Sequence, residues 1–187
     1  MKTPPKPRRP GATACDWAVL ALSLLAMGCT PALNWREVPL TASPLLVLLP
    51  CKADKAEREV TLSQQRWVLH MVGCEAQGNT YAVAHIKPGQ AAQAAEVLTA
   101  WRAATLAAWG QPKLAPMPAP ALQSLALPGH GRVAAQGHSP NGQVLAAQAA
   151  WWVRLDGSDA YVVQAVVVGG RSDPNAADTF FAGLRLP

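Results

Sequence analysis

The chain has 187 residues, of which 50% are hydrophobic and only 14% are charged. Its formal net charge is +5, but Lys2, Lys6, Arg8 and Arg9 lie at the N-terminus and the other Lys and Arg residues are scattered singly. Phosphate binding requires clustered cations, so we expect no nucleic-acid partner. The length beyond residue 28 suits one domain with a hydrophobic core.

An uncharged apolar segment, Trp17–Cys29, follows the basic, proline-rich N-terminus. This is the layout of a bacterial export signal, in which a basic region precedes an apolar region and a small-residue cleavage site. The end of the segment, Leu25-Ala26-Met27-Gly28-Cys29, resembles the lipobox of bacterial lipoproteins, in which the Cys is diacylated and becomes the first mature residue. The resemblance implies that residues 1–28 are a signal peptide, that Cys29 carries lipid and that residues 29–34 form a tether.

Two alternatives to lipid attachment remain open. The uncharged stretch Trp17–Trp35 approaches the ~20 residues with which a helix crosses a bilayer, so it could persist as a membrane anchor. The signal could also be cleaved without lipid attachment. In each case the basic N-terminus stays in the cytoplasm and the following domain faces the periplasm. Thr30 stands where enteric lipoproteins that stay in the inner membrane usually have Asp, which favours the outer membrane.

Cys51 and Cys74 are the two cysteines that follow the N-terminal segment. An oxidising periplasm favours a disulfide between them, and the strand pattern places both at the same end of a sheet. Two unrelated buried thiols are the alternative. Neither Cys has a second Cys or a His at ligand spacing, so we expect no metal site and no cofactor.

The first half of the chain predicts strands joined by short turns. Alternating or continuous apolar runs of strand length occur at Trp35–Leu40, Leu45–Leu49, Glu59–Leu62, Trp67–Val72 and Thr80–Ile86. We expect the last three to form successive antiparallel strands. Lys52–Glu59 is densely charged and predicts an exposed loop, with a partner-binding patch as the alternative.

A long helix is predicted at Gln90–Trp109, where Gly110 and Pro112 end it. Its apolar stripe recurs at spacings of three and four residues and comprises Ala94, Leu98, Trp101, Thr105 and Ala108. Proline then makes residues 111–120 an extended, non-helical crossing.

The second half predicts three more strands and a short helix. The strands begin near Arg132 and continue through Gln143–Leu155 and Tyr161–Val168, with an Asn-Gly hairpin turn at Ser139–Gly142. Asp173 as N-cap and Pro174 at the first helical position open the final helix.

This order of elements indicates an α+β fold, in which an antiparallel sheet carries one long and one short helix. Together with the terminal segment Phe180–Leu186, the order resembles the PsbP-like α/β/α fold of small exported domains. The resemblance covers residues 35–187 and implies a single domain. Members of that fold bind and scaffold without a shared reaction.

The sequence shows no arrangement typical of catalysis. The four histidines share no ligand spacing, and neither a nucleophile elbow nor a phosphate-binding Gly-rich loop occurs. His70 and His85 lie inside predicted strands, where a structural role is expected. We therefore predict that the chain is not an enzyme.

Two functional hypotheses remain. The first is a membrane-anchored periplasmic lipoprotein that binds or scaffolds another envelope protein. The second is a carrier of a small apolar ligand, held between sheet and helix by Trp67, Trp101 and Trp151.

Alternation along Gln143–Leu155 separates two neighbouring tryptophans. Trp151 shares the core face with Val153 and Leu155, whereas Trp152 lies with Arg154 on the other face. An exposed Trp beside an Arg is typical of interface anchors. We predict a partner-binding site at Trp152 and Arg154, unless a helix covers the outward ring.

Overall fold

The computed structural model describes residues 33–118, 124–139, 141–169 and 173–185. The predictions for residues 1–28 and for Cys29 lie outside these residues. In chain order the elements are β1 (Arg36–Pro39), β2 (Leu46–Leu49), β3 (Asp54–Leu62), β4 (Gln65–Ala76), β5 (Asn79–Ile86), α1 (Ala91–Ala108), β6 (Lys113–Met117), β7 (Gly131–His138), β8 (Val144–Asp156), β9 (Asp159–Gly169) and α2 (Pro174–Ala182). None of the described helices is long and apolar enough to span a membrane.

Seven of the strands form one antiparallel sheet in the order β3-β4-β5-β9-β8-β7-β6, and β1 pairs with β2 in a separate small sheet. The large sheet has a core on each face. Helix α1 covers one face, and the β1–β2 hairpin together with α2 covers the other. Because both faces are covered, the central strand β9 is almost continuously apolar from Ala160 to Val168. The fold is α+β with the sheet as its middle layer.

Several local predictions are confirmed. Strands β3, β4 and β5 are successive antiparallel neighbours, and the long helix is α1. In its apolar stripe, Ala94, Leu98 and Trp101 are buried, whereas Ala108 is exposed. The Asp173 carboxylate accepts hydrogen bonds from the backbone N–H groups of Asn175 and Ala176, at 3.0 and 3.2 Å, as an N-cap does.

The predicted loop at Lys52–Glu59 is wrong over most of its length, because β3 begins at Asp54. Residues 54–59 are all exposed, on both faces of an edge strand. Charged side chains on such a strand remain in water while the backbone pairs with β4, so high charge density does not prevent strand formation. Within the predicted proline-rich crossing, residues 113–117 form the opposite edge strand, β6.

The cysteine pair forms a disulfide as predicted, with the Cα atoms of Cys51 and Cys74 5.9 Å apart. Its setting differs from the predicted up-and-down order. The strand before Cys51, β2, lies outside the large sheet and packs on its face, whereas Cys74 lies within β4. The disulfide therefore joins the small hairpin to the large sheet.

The expectation that Trp152 lies on an open face is wrong. Trp151 is 1% exposed and Trp152 is 4% exposed. Trp151 packs in the core under α1, and Trp152 packs in the opposite core beside Leu45, Val47 and Leu184. The hairpin and the segment after α2, rather than a helix alone, cover the outward ring. Leu155, assigned to the core, is 39% exposed at the strand end.

Candidate binding site on the open sheet face

Among the described residues, none covers one corner of the large sheet on the face that carries α1. Helix α1 packs chiefly on β8 and β9, and beyond it the surface over β3, β4 and β5 forms a concavity of about 600 Å³. This volume lies in the range of small-molecule and cofactor sites, about 300–1,000 Å³. The residues around it are Cys51, Lys52, Asp54, Lys55, Ala56, Arg58, Met71, Val72, Gly73, Cys74, Glu75, Thr80 and Ala82.

Small side chains form part of the floor of the concavity. Gly73 pairs with Ala82 across β4 and β5, and Ala56 pairs with Met71 across β3 and β4. A Cβ on Gly73 would lie 2.7 Å from the Tyr81 carbonyl oxygen and 3.1 Å from the Ala82 Cβ. Glycine therefore permits the close backbone approach at this position, and the small residues leave room above the sheet.

The rim of the concavity carries both positive and negative charges. Lys52, Lys55 and Arg58 contribute cations, and Asp54 and Glu75 contribute carboxylates. These five residues are exposed, so their charges can exchange water for a partner's polar groups. The Cys51–Cys74 disulfide borders the site and connects its rim to β4. An apolar floor inside a polar rim is the usual anatomy of an interaction surface.

A row of polar rings crosses the opposite face of the sheet. The rings of His70 and His85 stack with centroids 5.1 Å apart, and Tyr161 lies 5.7 Å beyond His85. At one end, His70 Nδ1 lies 3.2 Å from Glu57 Oε2. At the other end, Lys87 Nζ lies 2.7 Å from Asp159 Oδ2 and 5.6 Å from the Tyr161 ring centroid.

The buried member of this row is His85, which is 0% exposed. Its Nε2–H donates to the Thr41 carbonyl at 2.7 Å, which leaves Nδ1 without a hydrogen-bond partner among the described residues. Burial lowers the pKa of His85, and the neighbouring His70 and Lys87 charges act in the same direction against the Thr41 hydrogen bond. Neutral His85 therefore connects β5 to the loop between β1 and β2.

A second buried polar cluster holds α2 on the sheet. Arg132 on β7 is 7% exposed, and its guanidinium lies 4.1 Å above the Phe181 ring. It donates to Asp178 at 2.7 Å and to the Gln148 side chain. Since these contacts join β7 and β8 to α2, we assign Arg132 a structural role.

The structure distributes the predicted site residues over different surroundings. Cys51 and Cys74 border the concavity, whereas Trp152 is buried in the core on the other face. Arg154 is half-buried and pairs with Tyr161 across β8 and β9. Trp101 and Trp151, proposed to surround an apolar ligand, fill the core between α1 and the sheet, and Trp67 is half-buried at its margin. The partner-binding role of Trp152 thus loses the exposure on which it depended.

The residues of the concavity were missed by sequence reasoning, apart from the cysteines and the charged run after Cys51. The alternative of a partner-binding patch at Lys52–Glu59 pointed to this rim. Nothing in the spacing of Gly73 and Ala82 shows that α1 leaves their face open. No group of three or more His, Cys, Asp or Glu placed to hold a metal ion occurs within the described residues.

Comparisons of the chain with protein-family models, with curated proteins and with solved structures found no match.

Proposed function

We propose that this chain is a membrane-anchored protein of the bacterial envelope that binds or scaffolds another envelope protein without catalysis. The observation that supports it is the open concavity over β3, β4 and β5, with a floor of small residues and a rim of five charged side chains. Among the described residues of its lining, none is a histidine, and Thr80 contributes the one hydroxyl. The surface therefore offers contact area and ion pairs rather than a nucleophile with its base.

The alternative function, a carrier of a small apolar ligand, is less well supported. A carrier needs an enclosed apolar pocket, and the proposed rings of Trp101 and Trp151 are 8% and 1% exposed inside a packed core. The concavity, in contrast, is open and bordered by charges, which suits a protein surface better than an apolar molecule.

The membrane anchor is proposed from the N-terminal sequence. Its resemblance to a lipobox supports a lipid on Cys29, periplasmic exposure of the domain and location at the outer rather than the inner membrane. Replacing Cys29 with Ser is expected to abolish metabolic labelling with a fatty acid and to leave an unprocessed chain. A variant that labels and migrates like the wild type would exclude lipid attachment at Cys29.

The PsbP-like relationship is likewise proposed. It is supported by the order of strands, long helix, extended crossing, three strands and short helix, and by the α+β layering of the sheet. It carries no reaction or ligand to this chain, because folds of this kind serve unrelated functions.

The binding function is tested by site-specific photo-crosslinking of the full chain in intact cells. A photoreactive residue at Ala82, on the floor of the concavity, is expected to give a discrete adduct with a second envelope protein. The matched control is Ala115, an exposed strand alanine on β6 at the opposite edge of the sheet. Absence of an adduct at Ala82, or equal adducts at both positions, would refute this site.

A further inference from the structure

Strand β3 is a long, regular edge strand, and none of the described strands pairs with its outer side. It pairs one-to-one with β4 over all nine residues, from Asp54↔Gly73 to Leu62↔Gln65, without a bulge or proline. Natural edges are usually kept short, bulged, charged or interrupted by proline. The opposite edge, β6, is short, with five residues that include Pro116. Strand β3 is protected by its charged side chains alone, so its backbone remains long and regular enough to pair with a strand of complementary charge.

The β3–β4 turn determines which backbone groups of β3 face outward. Ser63 and Gln64 both have positive φ, 49° and 64°, as in a two-residue type I′ turn. The flanking pair Leu62 and Gln65 then exchanges hydrogen bonds, and every second residue before Leu62 does the same with β4. The N–H and C=O groups of Lys55, Glu57 and Glu59 therefore point to the free edge.

The charges of β3 are self-complementary about Ala56. If a second β3 pairs antiparallel with the two Ala56 residues opposite each other, each Lys55 faces Glu57 of the partner subunit on one side of the sheet. On the other side, each Asp54 faces Arg58 of the partner subunit. Outward groups meet outward groups in this register, because Lys55 and Glu57 both belong to the outward set.

Neighbouring registers are less complementary. Centring the pair on Lys55 places two lysines opposite each other. Centring it on Glu57 places two glutamates opposite each other, with only the Lys55–Glu59 pairs of opposite charge. Like charges directly opposite across two strands are destabilising. The order of charges thus does more than keep the edge soluble, since it selects one register among those that the backbone allows.

We propose that β3 pairs antiparallel with β3 of a second copy about a two-fold axis at Ala56, joining the two large sheets into one. A two-fold axis makes every contact occur twice, so the four ion pairs form from a single strand sequence. Asp54, Lys55, Ala56 and Arg58 also line the concavity, and the partner's β3 would extend its floor. This inference does not depend on the proposed envelope partner.

Disulfide trapping tests the register directly on the full chain. In the proposed pair the two Ala56 Cα atoms lie about 4.5 Å apart, as in other non-hydrogen-bonded pairs, which a disulfide can bridge. Ala56→Cys is therefore expected to give a disulfide-linked dimer on a non-reducing gel. Glu59→Cys is the matched control on the same strand, because Glu59 forms no ion pair in this register and its two copies lie roughly 20 Å apart along the strands.

The wild-type chain is the background control, because any disulfide-linked dimer that it forms comes from its native cysteines. A dimer fraction for Ala56→Cys no higher than for the wild type would overturn the proposal, as would equal linkage of Glu59→Cys.

Charge reversal tests the pairing without a covalent bond. Lys55→Glu turns both Lys55–Glu57 pairs repulsive, so the dimer dissociation constant of the full chain in mild detergent, from sedimentation of a dilution series, should rise about tenfold or more. Lys55→Glu combined with Glu57→Lys should restore the wild-type value, because each pair is exchanged. Glu59→Lys is the control, since Glu59 faces the uncharged Ala53 in this register.

Either a double variant as weak as Lys55→Glu, or equal weakening by Glu59→Lys, would overturn the register. All three positions are exposed, so each variant is expected to fold, and thermal melting checks this. Failure of the dimer leaves photo-crosslinking at Ala82 unaffected, so the two proposals are distinguished.

Discussion

Truncation of either neighbouring tryptophan on β8 should destabilise the domain by a similar amount. Trp151 and Trp152 are 1% and 4% exposed and belong to the two separate cores of the sheet. Large aromatic truncations in packed cores cost about 3–5 kcal/mol. Since a domain of this size changes its melting temperature by about 2–4 °C per kcal/mol, each Trp→Ala variant should melt about 6–20 °C lower than the wild type.

Urea unfolding followed by circular dichroism measures both variants. The control is Val144→Ala at the start of the same strand, where the side chain is 83% exposed and the expected change is within about 0.5 kcal/mol. The reasoning is refuted if Trp152→Ala unfolds at the wild-type urea concentration while Trp151→Ala does not. That result would mean that the hairpin and α2 do not cover the Trp152 face in solution.

Two further predictions concern the attachment of the β1–β2 hairpin. Replacing both Cys51 and Cys74 with Ser should lower the free energy of unfolding by about 3 kcal/mol, as expected for a loop of this length. An unchanged midpoint in urea titration would contradict this prediction. The folded-state pKa of His85 lies below its ordinary value of 6.5, so the unfolded chain binds a proton at this imidazole more readily than the folded chain does. His85 should therefore lower the free energy of unfolding as the pH falls from about 6.5 to the folded-state pKa. His85→Gln removes this contribution, and urea midpoints between pH 7.5 and 5 should fall less steeply for the variant than for the wild type; parallel slopes would disprove it.

Much of the secondary structure could be predicted because its signals are local. The stripe at Ala94, Leu98 and Trp101, the N-cap at Asp173 and the apolar run of β9 each depend on residues a few positions apart. Such patterns act through backbone preference and one-sided burial, which a sequence window contains. The pairing of His70 with His85 follows from the two-residue turn Gln77-Gly78, which pairs Ala76 with Asn79 and so fixes that register.

The candidate site was less predictable for a physical reason. Whether Gly73 and Ala82 lie in a concavity depends on where α1 ends its contact with the sheet, which no spacing in β4 or β5 encodes. The edge position of β3 is similarly a property of the strand order. Its charges led to the prediction of a loop, because a solvated edge strand and a solvated loop tolerate the same side chains.

The sequence by itself determined most of the strand and helix segments and the α+β class, and it favoured a disulfide between Cys51 and Cys74. The tertiary structure decided which surfaces are covered. It buried Trp152 under the hairpin, moved β2 out of the large sheet and left the corner over β3, β4 and β5 open. The reason is that alternation assigns a side chain to a face of its strand, whereas burial depends on what distant segments place over that face.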